Sequence, residues 1–177
     1  MINLNGELMK RIILDTNIYG FILKLDEPEK VEELIAKSDI RIYGIGVIRK
    51  ELRNAPKKST VYDRSKKAVR NLRNSLLALY NTVTKKEYDV SQKMTSLAAE
   101  YYTVYMEVGG KCMWEDMEND FIIIACASIH ELDIVVSEDN NTMLSEESLK
   151  AYRIVNSLRK YRTPEFISYE NFRRLLP

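Results

Sequence analysis

Short apolar runs alternate along the chain with longer stretches of helical periodicity. The first run, Arg11-Ile-Ile-Leu14, is rich in β-branched residues and predicts a buried strand that ends at Asp15. Similar patterns predict strands over residues 40–43, 134–136 and 165–168, and helices over residues 17–25, 28–37, 47–53, 119–131, 143–162 and 169–175. Strands that alternate with helices in this way indicate an α/β domain of three α/β/α layers around a central parallel sheet.

The longest helical periodicity falls between residues 59 and 108. Apolar side chains recur there at three- and four-residue steps, at Val69, Leu72, Leu76, Leu79 and Tyr80 and again at Leu97, Tyr101, Val104 and Tyr105. We therefore predict an inserted helical hairpin over residues 59–108, which packs on itself whether or not its basic face also binds RNA. The whole is expected to be one domain over residues 9–177, with residues 1–8 interpreted as a disordered extension.

Composition limits the chemistry that this chain can carry out. No apolar run approaches the roughly 20 residues that span a bilayer, and no secretion signal is recognisable, so we expect a cytoplasmic protein. Cys112 and Cys126 are not spaced as a zinc knuckle or a redox pair, and Cys126 is expected in the core. The single histidine, His130, argues against a Ser-His-Asp triad or a histidine-rich zinc site. Any chemistry here is expected to be carboxylate chemistry.

Charge is distributed unevenly, although the net charge is only +1. Residues 49–86 contain 12 Lys and Arg against 2 acids, a balance of +10, and residues 87–150 contain 3 against 14, a balance of −11. This distribution suits a protein that holds a polyanion beside a carboxylate-lined metal site. The candidate nucleic-acid-binding residues are the first basic side chains of the positive segment: Arg49, Lys50, Arg53, Lys57 and Lys58. The alternative is that the two segments are solvated helix faces that attract one another.

Four acidic side chains are expected at one edge of the sheet. Asp15 ends the first strand and Asp139 closely follows the strand over residues 134–136, and ligands bind beyond the carboxyl ends of parallel strands where strand order reverses. Asp120, at the start of an apolar helix, and Glu51, about two helical turns after the second strand, can reach the same place. Two like charges at ~4 Å repel by roughly 4 kcal/mol at an effective dielectric of about 20, so a cation would be needed. Oxygen ligands without histidine favour Mg²⁺ or Mn²⁺.

Four segments together resemble the motifs of PIN-domain nucleases, including VapC-like prokaryotic ribonucleases. These segments are Ile12-Ile-Leu-Asp-Thr-Asn17, Val47-Ile-Arg-Lys-Glu-Leu52, Asn119-Asp-Phe-Ile-Ile-Ile-Ala-Cys-Ala127 and Ile134-Val-Val-Ser-Glu-Asp139. They occur in the family's order over about residues 11–143. The longer segment over residues 59–108 indicates a variant subfamily. The last motif continues to Asn141 without the family's usual basic residues, so its contacts with a substrate are left open.

The resemblance implies a PIN-like fold and Mg²⁺- or Mn²⁺-dependent hydrolysis of single-stranded RNA. On that basis Asp15, Glu51, Asp120 and Asp139 would be metal ligands and catalytic residues. Asn17 would hold the first turn or contact a metal-bound water, and Ser137 would fill the hydroxyl position of the last motif. The resemblance also implies a homodimer and, as in many small prokaryotic members, a toxin with a partner antitoxin protein.

Other functions remain open at this point. A catalytically silent PIN-like module that binds RNA or protein would keep the fold without turnover. Five tyrosines could stack on RNA bases, but most of them are expected in the core or in an interface: Tyr80, Tyr88, Tyr101, Tyr102 and Tyr105. Unrelated α/β enzymes fit less well. A dehalogenase-type phosphatase needs Asp where Asn17 stands, and neither the glycine fingerprint of a dinucleotide site nor a P-loop follows the first strand.

Overall fold

The computed structural model describes residues 9–63 and 67–177, so the predicted extension over residues 1–8 lies outside the described part. The strands are β1 (Lys10–Leu14), β2 (Ile40–Ile45), β3 (Thr60–Asp63), β4 (Ala68–Asn71), β5 (Thr84–Tyr88), β6 (Ile134–Val136) and β7 (Glu165–Ile167). The helices are α1 (Thr16–Lys24), α2 (Pro28–Lys37), α3 (Gly46–Asn54), α4 (Leu72–Val83), α5 (Gln92–Glu107), α6 (Trp114–Ile129), α7 (Glu146–Arg159) and α8 (Tyr169–Leu175).

Five strands form one parallel sheet in the order β5-β2-β1-β6-β7. Helices α1 to α4 pack together on one face, and α5, α6 and α7 pack together on the other. The central strand β1 carries the fully buried residues Ile12, Ile13 and Leu14, as a strand covered on both faces requires. The three-layer parallel α/β fold predicted from the sequence is therefore confirmed.

The helical hairpin predicted over residues 59–108 is wrong. The segment begins with the antiparallel pair β3 and β4, in which Val69 is 66% exposed opposite Tyr62, instead of lying in a helical core. The two helices that follow are separated by β5 and pack on opposite faces of the sheet. The sequence of β5, Thr84-Lys-Lys-Glu-Tyr88, lacks an apolar run because it forms the edge of the sheet, where exposed lysines are common.

Helix α6 also differs from its predicted bounds. It starts at Trp114 and not at the predicted Asn119. The sequence did not indicate this start because the first turn carries the acids Glu115 and Asp116 and lies largely outside the core. Only the part from Phe121 onward is continuously buried, and that part alone has the apolar pattern that the sequence reveals. Asp120 consequently lies in the second turn of α6. In the described residues no helix is long and apolar enough to cross a membrane.

Candidate metal centre

The site lies where the order of the strands reverses. The chain leaves β1 toward α1 on one face of the sheet and leaves β6 toward α7 on the other, so a crevice opens between the carboxyl ends of these two neighbouring strands. Asp15 directly follows β1, and its backbone N–H donates to the carbonyl of Val136 at 2.9 Å. The residues after β6 lead to Asp139 at the same edge. The topology thus brings these two acids together as predicted.

Asp15 is held by donors on three sides. Its side chain caps helix α1 by accepting the backbone N–H of Thr16 at 2.6 Å. Its other oxygen accepts from Asn17 Nδ2 at 2.7 Å and from Ser137 Oγ at 2.7 Å. Asn17 and Ser137, the two residues predicted to support the site, therefore both orient this carboxylate.

Burial raises the pKa of Asp15 to about 6, even though the hydrogen bonds from Ser137 and Thr16 oppose the shift. The nearby carboxylates of Glu51 and Asp139 raise it further. The side chain is only 5% exposed, so little water stabilises its charge. A cation in the crevice would relieve this unfavourable energy.

Glu51 reaches the crevice from α3. Its Oε2 accepts the hydroxyl of Thr16, and its Oε1 accepts Asn119 Nδ2 at 2.6 Å. These two donors come from α1 and α6, which belong to opposite faces of the sheet. Glu51 therefore joins the two helical layers at the carboxyl edge of the sheet.

Asp120 and Asp139 meet at one hydroxyl group. Thr142 Oγ1 lies 2.6 Å from Asp120 Oδ2 and 2.5 Å from Asp139 Oδ2. The second oxygen of Asp139 accepts the backbone N–H groups of Asn141 at 2.9 Å and Thr142 at 3.0 Å. Burial raises the pKa of Asp120 to about 7, although the hydrogen bond from Thr142 opposes the shift, and the charges of the other three acids raise it further.

The four predicted acids therefore form one electrostatic group. The charges of Glu51 and Asp139 act on the ionisation of Asp15. The charges of all three other acids act on the ionisation of Asp120. Across residues 9–63 and 67–177, no three acidic, histidine or cysteine side chains converge closely enough to make a ready metal cage. Hydroxyl and amide groups lie between the carboxylates instead. Oxygen donors of this kind suit Mg²⁺ or Mn²⁺, and binding would require small side-chain rotations toward the ion.

Three residues of the site were not predicted from the sequence: Thr16, Asn119 and Thr142. Thr16 and Asn119 are direct neighbours of predicted acids, and this adjacency was the available signal for them. Thr142 follows Asp139 by three residues, a spacing at which a short polar side chain can bond back in a turn. Its contact with Asp120, however, depends on tertiary structure.

The predicted nucleic-acid-binding residues do not form a uniform set. Arg49 donates to Glu87 at 2.7 Å and to Asn81 at 2.8 Å, and its guanidinium stacks on the ring of Tyr80. It therefore connects α3 to α4 and β5. The other four are exposed. They lie on α3, the helix that carries Glu51, and in the loop after it: Lys50, Arg53, Lys57 and Lys58.

Residues outside the four acids also make structural contacts. Glu138 accepts the backbone N–H of Tyr169 at 2.6 Å and so holds the first turn of α8. Cys126 is fully buried, as expected. His130 stacks on Tyr88 with 3.8 Å between ring centroids, and burial lowers the pKa of its imidazole. Of the tyrosines proposed to stack on RNA, three are buried in the core: Tyr80, Tyr101 and Tyr105.

No protein-family model and no curated protein matches this sequence. Solved structures do. The chain is similar to structures of VapBC2 from Rickettsia felis bound to a DNA fragment from their promoter (15% identity, TM-score 0.55) and of DNA-bound VapBC from Salmonella typhimurium (14%, 0.56). It is also similar to VapBC-1 from nontypeable Haemophilus influenzae (13%, 0.53). Each match covers 90% of this chain and 98% of the other. At such identities the likeness shows the fold, and the expected PIN-like fold is confirmed.

Proposed function

We propose that this protein is a ribonuclease that hydrolyses single-stranded RNA with Mg²⁺ or Mn²⁺ held by Asp15, Glu51, Asp120 and Asp139. The observation that carries the proposal is the set of four mutually repelling carboxylates at the strand-order reversal, two of which have raised pKa values. Held by these residues, a divalent cation would offset their repulsion and would supply an acidified water and charge stabilisation for phosphodiester hydrolysis.

Polar residues of the chain would hold the metal-binding acids in position. Asn17 and Ser137 orient Asp15, while Thr16 and Asn119 orient Glu51. The exposed lysine and arginine residues of α3 and the loop after it would hold the RNA backbone by contacts with its phosphates. Arg49 is assigned a smaller part in RNA binding because its guanidinium is already paired.

The proposal includes a toxin role, with an antitoxin protein as partner and a homodimeric assembly. The similarity in fold to three VapBC structures agrees with the role that the sequence motifs imply. Sedimentation of the purified protein, alone and with the product of an adjacent gene, tests both parts.

The nuclease proposal is tested with labelled single-stranded RNAs of varied sequence, in Mn²⁺, in Mg²⁺ and in EDTA. The wild-type protein should cleave only with metal, and folded Asp15→Asn and Asp139→Asn variants should lose cleavage. Asp116→Asn, the same change at an exposed acid of α6, is the matched control and should retain activity. Metal-independent RNA binding without cleavage would instead support the silent binding module.

A further inference from the structure

Thr142 lies between Asp120 and Asp139, two of the four acids of the site. Its single hydroxyl lies within hydrogen-bond distance of Asp120, on α6, and of Asp139, in the loop after β6. Asp120 precedes it by 22 residues, so this is not a local turn contact. The turn around Asp139 is already closed by two backbone N–H groups, which bond the other carboxylate oxygen.

The position of Thr142 is itself fixed by helix α7. Its carbonyl accepts the hydroxyl of Ser148 at 2.7 Å and that of Ser145 at 3.1 Å. Ser148 is fully buried, and so is Met143, the residue that follows Thr142. The carbonyl of Met143 accepts the hydroxyl of Tyr152 at 3.1 Å. These buried contacts hold the backbone of Thr142, so its hydroxyl is positioned between the two carboxylates.

We infer that Thr142 is a positioning residue that sets the relative orientation of Asp120 and Asp139 for a divalent cation. The inference rests on the proposed metal site and adds to it a residue outside the four motifs. Without the hydroxyl, the two carboxylate oxygens that face it would repel one another and rotate apart. The ion would then have to draw them together again as it binds. Groups that orient metal ligands in this way typically contribute about 10–100-fold in metal affinity or activity.

The test is the affinity of the full-length protein for Mn²⁺, measured by titration calorimetry. Thr142→Val keeps the shape of the side chain and the backbone N–H to Asp139, but removes the hydroxyl. We expect it to bind Mn²⁺ about 10–100-fold more weakly than wild type, whereas Thr142→Ser should remain within about threefold. Thr103→Val is the matched control, because the hydroxyl of Thr103 is exposed and bonds only its own helix.

The outcomes separate this assignment from the proposed function. If wild type binds Mn²⁺ and Thr142→Val binds it equally well, the assignment is overturned while the metal site stands. If wild type itself binds no Mn²⁺, the proposed function is overturned, and the assignment with it. A variant that only lost melting temperature at unchanged Mn²⁺ affinity would show a structural role and overturn the assignment. Should Thr142→Val not fold, Thr142→Ala is held to the same criterion.

Discussion

Replacing Asp120 with asparagine should stabilise the metal-free protein at neutral and alkaline pH. The carboxyl is largely buried beside three other acids, and its pKa is raised from 3.8 to about 7. Asparagine has the same shape and can still accept the hydroxyl of Thr142, but it carries no charge. The change therefore removes repulsion without removing the hydrogen bond.

The magnitude follows from the shift in pKa. A shift of about three units corresponds to about 4 kcal/mol, at 1.36 kcal/mol per unit. The neighbouring acids relax when the charge is removed, and part of the group is in contact with water, so we expect about 2–4 kcal/mol. In a chain of this size that is at least about 4 °C in melting temperature.

The sign depends on pH in a defined window. The unfolded chain loses this proton near pH 4, whereas the folded protein keeps it up to about pH 7. Between these values the folded state binds more protons, so its stability falls as pH rises. The advantage of Asp120→Asn should accordingly be small near pH 4 and complete above about pH 7.

Urea unfolding in EDTA at about pH 5 and about pH 8 measures this difference. Asp116→Asn, an exposed acid on the same helix, is the control and should change stability by no more than about 0.5 kcal/mol. An Asp120→Asn variant that is no more stable than wild type at the higher pH would show that the charge of Asp120 does not destabilise the folded protein. So would a stabilisation of equal size at both pH values.

Three further predictions address the metal, the basic residues and the fold. The rise in melting temperature on adding Mn²⁺ should grow between about pH 5.5 and about pH 8, because the ion binds ionised carboxylates; a rise independent of pH in a thermal-shift assay would count against the site. Arg49→Ala should destabilise the fold by about 1–3 kcal/mol in urea, because Glu87 keeps the hydroxyl of Tyr80 but loses its cationic partner. Lys50→Ala should leave stability unchanged but weaken RNA binding and lower its salt dependence. Gly44→Ala should destabilise by about 1–3 kcal/mol, because the added Cβ would lie 2.1 Å from the hydroxyl oxygen of Tyr80; equal stability in thermal unfolding would contradict this packing.

The parts of the fold that the sequence predicts well are those in which one pattern dominates. The buried end of β1, Ile12 to Leu14, and the whole of β6 are short apolar runs, and the buried part of α6 is almost entirely apolar. Such patterns arise because these elements are covered on both faces. The acids that end or follow these strands could therefore be assigned to one edge of the sheet before the structure was known.

The parts predicted wrongly have weaker local signals. β5 is an edge strand with two lysines, and its pairing with β2 is a long-range contact that no local periodicity reveals. Val69 occurs at a helical spacing but belongs to a short antiparallel pair. The start of α6 is polar because it extends beyond the core, so its bounds could not be read from burial.

The same distinction holds within the site. The four acids carry chemistry and stand in recognisable motifs, whereas their partners are ordinary polar residues. Asn119 bonds Glu51 across 68 positions, and Thr142 bonds Asp120 across 22. Contacts of this kind depend on how helices from both layers meet at the crevice, which only the folded structure shows.

Anomalous diffraction from crystals grown with Mn²⁺ tests most directly whether the four carboxylates hold a divalent cation. We predict a manganese peak in the crevice between β1 and β6, about 2.0–2.3 Å from oxygens of Asp15 and at least one of the other three acids. The peak should disappear in Asp15→Asn crystals. A manganese peak elsewhere on the molecule, or an empty crevice at a saturating Mn²⁺ concentration, would contradict the proposed metal site.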